Sequence, residues 1–223
     1  MNIQWYPGHM TKTRRQIEAD LKNVDIVVEI IDARIPVSSR NPDIDAICGG
    51  KPRLIVLNRA DQADPAQNKQ WAVFFRSQGH AVLETDAKTG SGVNQFSAII
   101  QGVLKDQIAR WREKGQVGRP VRAMVVGVPN VGKSTFINKV ARKKSAKAGD
   151  RPGVTRGKQW VNVDQSLDLL DTPGILWPKF DDQTIGMNLA FTGAVKDDIM
   201  DVETLGCHMM TLLAERYPKT LTD

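Results

Sequence analysis

The eight residues "GVPNVGKS" at 127–134 constrain the fold of this chain more than any other stretch. They fit the pattern G-x-x-x-x-G-K-[ST] and lie between the apolar run "RAMVVGV" and the helix-forming run "KSTFINKVARKK". A glycine-rich turn between a strand and a helix directs backbone amides and the positive end of the helix toward one point, which suits a phosphate group. The pattern alone recurs by chance as an ordinary turn, but its position after a strand and before a helix favours a phosphate-binding loop.

The residues of this loop have separate expected roles in holding a nucleotide. Lys133 would reach the β and γ phosphates, and the Ser134 hydroxyl would ligate Mg²⁺. The backbone amides expected to face the phosphates are those of Asn130, Val131, Gly132, Lys133, Ser134 and Thr135. The loop therefore predicts a nucleotide as the ligand and Mg²⁺ as a cofactor.

Two later elements fit the same site. "DTPG" at 171–174 ends an apolar run, so that Asp171 would hold Mg²⁺ through a water and the Gly174 amide would contact the γ phosphate. Between the loop and this element, Thr155 in "RPGVTRG" is a candidate to complete the Mg²⁺ shell when a triphosphate is bound. Thr172 and Ser145 are the competing candidates and are less well placed.

Strands alternate with helices along most of the chain. β-branched runs at 25–34, 53–61 and 80–87 predict strands, as does the run before the loop, and "QWVNVDQ" and "LDLLDTP" predict a strand pair. Helices are expected after Thr11 or Thr13, from Pro65 to Gly79, and as one long amphipathic helix at 91–115. This alternation predicts a doubly wound α/β sheet.

The pattern changes after residue 177. Beyond it the sequence predicts only helices, and eight acids face four bases in that segment. We therefore divide the chain into an α/β domain at 1–177, which includes the N-terminal helix, and a short helical C-terminal segment at 178–223.

Base recognition is predicted from two strand ends. Asn58, Arg59, Ala60 and Asp61 resemble the N-K-x-D element, in which the aspartate accepts hydrogen bonds from guanine N1–H and the 2-amino group. Adenine has no N1 donor and would leave that carboxylate unpaired, which disfavours an ATPase. Asn58 would either reach the base or hold the phosphate loop, and the stem of Arg59 could cover the base plane.

The second of these strand ends is "ETDAKTG" at 84–90. Asp86 and Ala87 in this stretch resemble the S-A-K element, whose backbone amide binds the guanine carbonyl. Both base-reading elements precede the phosphate loop, although they follow it in Ras-like proteins. A circular permutation reconciles this order with one nucleotide crevice at the carboxyl edge of the sheet.

At this point the chain resembles the circularly permuted bacterial family of ribosome biogenesis GTPase A, also called YlqF or RbgA. The resemblance is carried by the permuted order, "GVPNVGKS", "RPGVTRG", "DTPGI", "DAR-P" at 32–36 and the N-terminal "WYPGHM". It implies a GTPase of low intrinsic rate that acts in large ribosomal subunit assembly and is stimulated by the particle it binds. Family members usually continue into a longer C-terminal helical domain that docks on ribosomal RNA.

The residue after "DTPG" raises the question of how the attacking water is positioned. Ras-like hydrolases have a glutamine there, whereas this chain has Ile175, whose side chain cannot form a hydrogen bond with water. Three substitutes stay open: His9, to which the family resemblance also points; a K⁺ ion held partly by Asn130; or a group from the ribosomal partner. The alternative reading of His9 is a surface or packing histidine, and Asn130 can be an ordinary turn residue.

Charge indicates the class of partner. The net charge is +6, and residues 141–160 hold seven lysines and arginines against one acid. Contact with rRNA phosphates and a solvated basic face account for that cluster about equally well. The basic residues that flank the segment are Arg142, Lys143, Lys144, Lys147, Arg151, Arg156 and Lys158.

Other compositional features bound the location. No apolar run reaches the roughly 18 residues of a membrane span, and the N-terminus lacks the pattern of a signal peptide. Two distant cysteines fit a reducing cytoplasm, and the scattered histidines do not suggest zinc. We expect a cytoplasmic GTPase with GTP or GDP, the large ribosomal subunit and its rRNA as partners. The rival hypothesis is a nucleotide-gated rRNA-binding module in which hydrolysis is incidental, and the oligomeric state is not predicted.

Overall fold

The computed structural model describes residues 9–142, 158–177, 180, 182–195 and 201–221. One six-stranded sheet with strand order β3-β2-β1-β4-β6-β5 forms its centre. The strands are Ile26–Asp32 (β1), Arg53–Asn58 (β2), Ala81–Thr85 (β3), Val121–Val126 (β4), Gln159–Asp164 (β5) and Leu167–Asp171 (β6). All neighbours pair in parallel except β5, which runs antiparallel to β6 at the edge.

Helices cover both faces of this sheet. They span His9–Asp20 (α1), Asp43–Cys48 (α2), Pro65–Ser77 (α3), Phe96–Val103 (α4), Lys105–Glu113 (α5), Lys133–Val140 (α6), Gln183–Phe191 (α7) and Val202–Arg216 (α8). The doubly wound α/β sheet with permuted element order is thereby confirmed.

The central strands are buried on both faces, as their continuous apolar runs predict. In β1, Val28 and Ile30 contribute to one core cluster together with residues of α4 and α6, whereas Val27 and Ile31 face clusters formed with α1, α2 and α3. A strand alternates its side chains between the two faces, so a run that is apolar at both parities needs helices on both sides.

The sequence predictions were wrong in three places. Helix α1 begins at His9, so Thr11 and Thr13 lie inside the helix and not at its start. The long helix expected at 91–115 is divided at Leu104, whose backbone leaves helical geometry, into α4 and α5. The short helix α2 was not predicted, because its six residues are too few to show a helical repeat. Helix α3 begins as expected at Pro65, and Asp64 caps it by accepting from the backbone amides of Ala66 and Gln67.

The C-terminal helices differ in how they meet the sheet. Phe180 and, in α7, Leu189 and Ala190 are buried in the same cluster as the sheet, while α8 has no fully buried residue. The division of the chain between residues 177 and 178 stays a prediction. Within the described residues, no helix is both long and apolar enough to cross a membrane.

Candidate functional site

The parallel strands bring the predicted site residues to one edge of the sheet. Asp32, Asn58 and Thr85 end β1, β2 and β3, and Asp171 ends β6. The loop from Gly127 to Gly132 leaves β4 at the same edge and enters α6. The carboxyl edge of a parallel sheet is the usual ligand crevice of such folds, and here every described element singled out for nucleotide contact reaches it.

The phosphate loop depends on two glycines with positive φ. Gly127 has a φ of 151°, and an added Cβ would lie 2.4 Å from the Ile30 backbone oxygen in β1. Gly132 has a φ of 99°, and its Cβ would lie 2.4 Å from Asn58 Nδ2. Any larger residue at these positions would push the loop away from β1 and β2. The loop is therefore held against the strand that carries the base-reading element.

Lys133 is buried inside its own loop. Its Nζ donates to the backbone oxygens of Gly127 at 3.1 Å and Val128 at 2.8 Å, and only 6% of the residue is exposed. Burial lowers the pKa of this ammonium to about 8, although the charge of Asp171 acts in the opposite direction. An anionic phosphate beside Nζ would supply the charge partner that the loop carbonyls supply only in part.

Asp171 and Ser134 form the candidate Mg²⁺ position. Ser134 Oγ donates to Asp171 Oδ2 at 2.8 Å, while Asp171 Oδ1 is buried and has no hydrogen-bond partner among the described residues. Burial raises the pKa of Asp171, and the Ser134 bond and the charge of Lys133 only partly offset this. A buried hydroxyl and a carboxylate with an unpaired oxygen are hard oxygen donors, so these residues fit Mg²⁺.

Asn58 joins the two halves of the site. Its Nδ2 donates to the Val131 backbone oxygen at 2.9 Å, and its Oδ1 accepts from Thr85 Oγ1 at 3.2 Å and the Ala87 amide at 3.0 Å. Of the two roles considered for Asn58, the geometry places it in the second, holding the phosphate loop. The Ala87 amide is engaged by this bond, so its predicted contact with a guanine carbonyl would require the bond to open.

Arg59 also reaches across to the phosphate loop. Its backbone is left-handed with a φ of 60°, and its guanidinium donates to the Asn130 backbone oxygen at 2.8 Å. Arg59 Nε also lies 3.9 Å from Asp32 Oδ2, and Asp32 is paired with Arg34 through two further bonds. The guanidinium thus ties the two loops together, a role beyond the cover for a base expected of its stem.

The remaining residues predicted to read the base differ in burial. Asp61 is exposed and Ala60 is half-buried beside it. Asp86 is buried and accepts from the Lys88 amide at 2.8 Å and the Thr89 amide at 3.2 Å. Its carboxylate therefore shapes the turn that carries Ala87, as an aspartate at such a position commonly does. Asp61 is the exposed one of the two carboxylates, and its contact with a base stays a prediction.

The segment after β6 shows where Ile175, the residue at the position of the glutamine, directs its side chain. An added Cβ on Gly174 would lie 2.6 Å from the Pro129 backbone, so this glycine allows close contact with the phosphate loop. The Ile175 amide donates to the Gly127 oxygen at 3.2 Å, while its side chain is 1% exposed in a core cluster with Ile17 and Ile44. Ile175 is a core residue, and its side chain does not line the crevice.

Some contacts of the site were not predicted from the sequence. The Asp32–Arg34 pair follows from "DAR-P", which was noted only as part of the resemblance. Thr85 was not predicted, although a hydroxyl at a strand end directly before Asp86 and Ala87 was a usable signal. Thr172, a competing candidate for Mg²⁺, is buried, and its hydroxyl donates to the Val125 backbone oxygen of β4 at 2.6 Å.

Several predicted residues lie outside the described part. These are Thr155, Ser145, most of the basic segment and the side chain of His9, whose backbone begins α1. Of the basic set, Arg142 is exposed after α6, and Lys158 donates to Asp20 at 2.8 Å before β5.

Comparisons with known proteins agree with this geometry. A family model described as "50S ribosome-binding GTPase" matches residues 122–212. "Ribosome biogenesis GTPase A" of Bacillus cereus is 48% identical over 223 residues, which covers 100% of this chain and 75% of that protein. The protein of the same name from Priestia megaterium is 51% identical over 222 residues, covering 99% and 77%. The chain belongs to the ribosome biogenesis GTPase A family.

A solved structure of the family has the same fold. The structure described as GNP-bound YlqF from T. maritima superposes with a TM-score of 0.65 at 29% identity, covering 92% of this chain and 75% of that one. As a ribosome biogenesis GTPase, the chain hydrolyses GTP and acts in ribosome assembly. Members of this group of GTPases generally use Mg²⁺, which the Ser134 and Asp171 oxygens fit.

Proposed function

We propose that this GTPase acts on the large ribosomal subunit and that the particle stimulates its hydrolysis of GTP. One observation carries the choice of subunit: the matching family model is described as a 50S ribosome-binding GTPase, and 50S is the large subunit. The buried Ile175 supports the second part, because a chain with no water-orienting side chain at this position needs help in the reacting complex.

Within the crevice, the residues divide the work of holding GTP. Lys133 and the loop amides from Asn130 to Thr135 bind the phosphates, and Asp61 accepts from guanine, with the Ala87 amide as a further base contact. Ser134 and Asp171, joined by Thr155, are the residues that would hold Mg²⁺, which supplies charge neutralisation to the phosphates when bound. The Gly174 amide contacts the γ phosphate.

Two groups would then activate the water: His9, and a K⁺ ion held in part by Asn130. Asn130 supports this second role because its Nδ2 donates to the Gly193 oxygen at 3.3 Å, which fixes the side-chain amide at the loop. A positioned K⁺ beside the β and γ phosphates would act as an arginine finger does. The ratio of turnover in K⁺ to turnover in Na⁺ tests this, and equal rates exclude a K⁺ requirement.

The partner is tested by co-sedimentation. The chain, loaded with a non-hydrolysable GTP analogue or with GDP, is centrifuged with purified large or small subunits. We expect it to travel with large subunits and to do so best in the triphosphate form. Equal recovery with both subunits, or with neither, contradicts the proposed partner. Salt dependence of the association measures the share carried by phosphate contacts of the basic segment.

The role of His9 is tested separately from nucleotide binding. His9→Ala should keep the affinity for GTP and lose most of the particle-stimulated rate, because a positioned acid or base contributes on the order of 10²–10⁴-fold. His208→Ala, in α8, is the matched control and should change neither quantity. Undiminished stimulated turnover in His9→Ala would remove His9 from the site.

Base reading is tested by Asp61→Asn. The amide presents a donor to the purine, so affinity should shift from guanine toward xanthine nucleotides. The nearby exposed Asp64→Asn serves as a control for charge, because asparagine can still cap α3. Unaltered GTP affinity in Asp61→Asn would show that another group reads the base.

A further inference from the structure

A small cavity lies beside the edge strand β5, outside the residues that hold the nucleotide. Its volume is about 280 Å³, which suits a single base or nucleotide better than a larger ligand. Its lining residues are Asp20, Asn23, Arg122, Lys158, Trp160 and Asp168. Arg122 and Asp168 lie near the amino ends of β4 and β6, at the opposite edge of the sheet from the phosphate loop.

Trp160 provides a flat apolar surface in this cavity. The residue is 44% exposed, whereas the next residue of the strand, Val161, is buried at 2%. The alternation of a strand places Trp160 on the opposite face of the sheet from Val161, and β5 is the edge strand of the described sheet. An indole left open in this way is well suited to stacking with a planar ligand.

Two basic residues line the cavity together with Trp160. The Arg122 guanidinium lies over one face of the Trp160 ring, 5.7 Å from its centroid, which leaves the other face for a ligand. Lys158 Nζ pairs with both carboxylate oxygens of Asp20, at 2.8 and 3.1 Å, while 42% of its side chain is exposed. Asp168 on the neighbouring strand accepts from Asn162 at 2.9 Å and keeps further acceptor capacity. The cavity thus combines a stacking plane, cations for phosphates and carboxylates that can accept from the amino groups of a base.

The surrounding sequence favours a polyanion over an apolar protein partner. Trp160 is the last residue of the stretch 141–160, which holds seven basic residues and one acid. Aromatic rings beside a basic track are the arrangement with which proteins bind single-stranded nucleic acid, because every base has a face that can stack.

We infer that Trp160, with Arg122 and Lys158, binds an unpaired base of single-stranded RNA and its adjacent phosphates. The inference rests on the proposed function, in which ribosomal RNA is a partner, and names a surface of the chain that contacts it. Stacking on the indole supplies affinity for the base, and the two cations supply the part of the affinity that depends on salt concentration.

Fluorescence anisotropy with a labelled oligoadenylate and the full chain tests the inference. Trp160→Ala should weaken binding on the order of tenfold, since stacking on one aromatic ring contributes about that much. Trp160→Phe should retain most of the affinity, and Trp160→Leu, which keeps apolar bulk without a ring, should lose it. Phe74→Ala, another exposed aromatic on α3, is the matched control and should bind as the unaltered chain does.

An abasic oligonucleotide of equal length separates the contribution of the base to affinity from that of the phosphates. Trp160→Ala should bind the abasic strand as the unaltered chain does. Arg122→Ala and Lys158→Ala should bind it more weakly, and their binding should depend less steeply on salt concentration. GDP affinity equal to that of the unaltered chain verifies that each variant is folded. The inference is overturned if Trp160→Ala binds oligoadenylate with unchanged affinity. It is also overturned if Trp160→Ala loses as much affinity for the abasic strand as for oligoadenylate.

The two proposals fail in distinguishable ways. If the chain does not associate with large subunits while oligoadenylate binding depends on Trp160, the proposed partner is wrong and the RNA site stands. If the chain associates with large subunits while Trp160→Leu binds oligoadenylate normally, the RNA site is wrong and the partner stands.

Discussion

The base-reading half and the phosphate half of the crevice differ in how well their polar groups are paired. At the ends of β2 and β3, Asn58 makes three hydrogen bonds and Asp86 accepts from two backbone amides. At the ends of β4 and β6, Lys133 is buried against neutral carbonyls and Asp171 keeps an unpaired oxygen. The polar groups of the first half pair with one another, and we expect the charges of the ligand to complete the pairing of the second half.

This difference has an energetic meaning. A buried polar group that is fully bonded stabilises the fold, whereas a buried charge with incomplete pairing costs stability until a ligand arrives. The pKa of Lys133 is lowered and that of Asp171 is raised, mainly because burial disfavours both charged forms. Nucleotide binding can recover this cost, which couples binding of the ligand to the stability of the fold.

The largest expected effect comes from removing the Asn58 side chain, which holds the base-reading half together. Asn58→Ala leaves the Val131 oxygen, the Ala87 amide and the Thr85 hydroxyl without their partner, so the free energy of unfolding should fall by about 4 kcal/mol. Chemical denaturation measures it. Asn162→Ala, on the exposed edge strand, is the control and should change stability by less than about 0.5 kcal/mol. If Asn58→Ala changed the free energy of unfolding as little as the control does, Asn58 would not hold the base-reading half together.

The next effect concerns the position after "DTPG". Ile175→Gln places an amide in an apolar cluster, so it should lower the free energy of unfolding by about 3 kcal/mol without accelerating hydrolysis. Ile175→Val, which stays apolar, should cost about 1 kcal/mol. Thermal unfolding and GTP turnover check the two parts. Faster hydrolysis in the glutamine variant would mean that this side chain does reach the attacking water.

The third effect separates binding from stability in the phosphate half. Lys133→Met should weaken GDP binding by about 100-fold, because it removes a buried charge contact to phosphates. The nucleotide-free chain should lose little stability, since removing a charge that burial disfavours offsets the loss of the hydrogen bonds to the Gly127 and Val128 oxygens. Lys139→Met, exposed on the same helix, should alter neither. Loss of both stability and affinity in Lys133→Met would contradict the contrast between the halves.

The smallest expected effect is a pH dependence. In the folded chain Lys133 has a pKa of about 8, below its ordinary value of 10.5 in the unfolded chain, so its contribution to stability is present at high pH and lost as the pH falls through about 8. Phosphate binding favours the charged form. GDP affinity should therefore fall about tenfold from pH 7 to pH 9, with proton uptake on binding above about pH 8.

Calorimetry in two buffers of different protonation enthalpy measures that uptake. Lys133→Met should bind weakly but without this slope. An unaltered slope in the variant would assign the titration to another group.

The fold was largely predictable because it depends on local periodicity. The continuous apolar runs of β1 and β2 predicted strands buried on both faces, and Pro65 and Gly79 marked the ends of α3. Helix α2 and the break at Leu104 were missed because a short helix and an isolated change of backbone angle leave little periodic signal. The buried Glu29, which pairs with Arg53 inside β1 and β2, was likewise hidden in an apolar run.

The site was predictable in its members but not in its bonds. The phosphate loop and "DTPG" are local patterns with a known chemistry, so their residues could be named from the sequence. The bond from Asn58 to Val131 joins positions 73 residues apart, and the burial of Ile175 depends on α1 and α2 packing against it. Such contacts follow from tertiary packing, which a local pattern does not contain.

The proposed stimulation by the particle is tested most directly by GTP turnover in K⁺ with and without purified large subunits. The account predicts slow hydrolysis by the chain alone and a marked increase when large subunits are added, with no such increase from small subunits. An unchanged rate in the presence of large subunits that bind the chain would contradict it. That result would instead support a nucleotide-gated RNA-binding module in which hydrolysis is incidental.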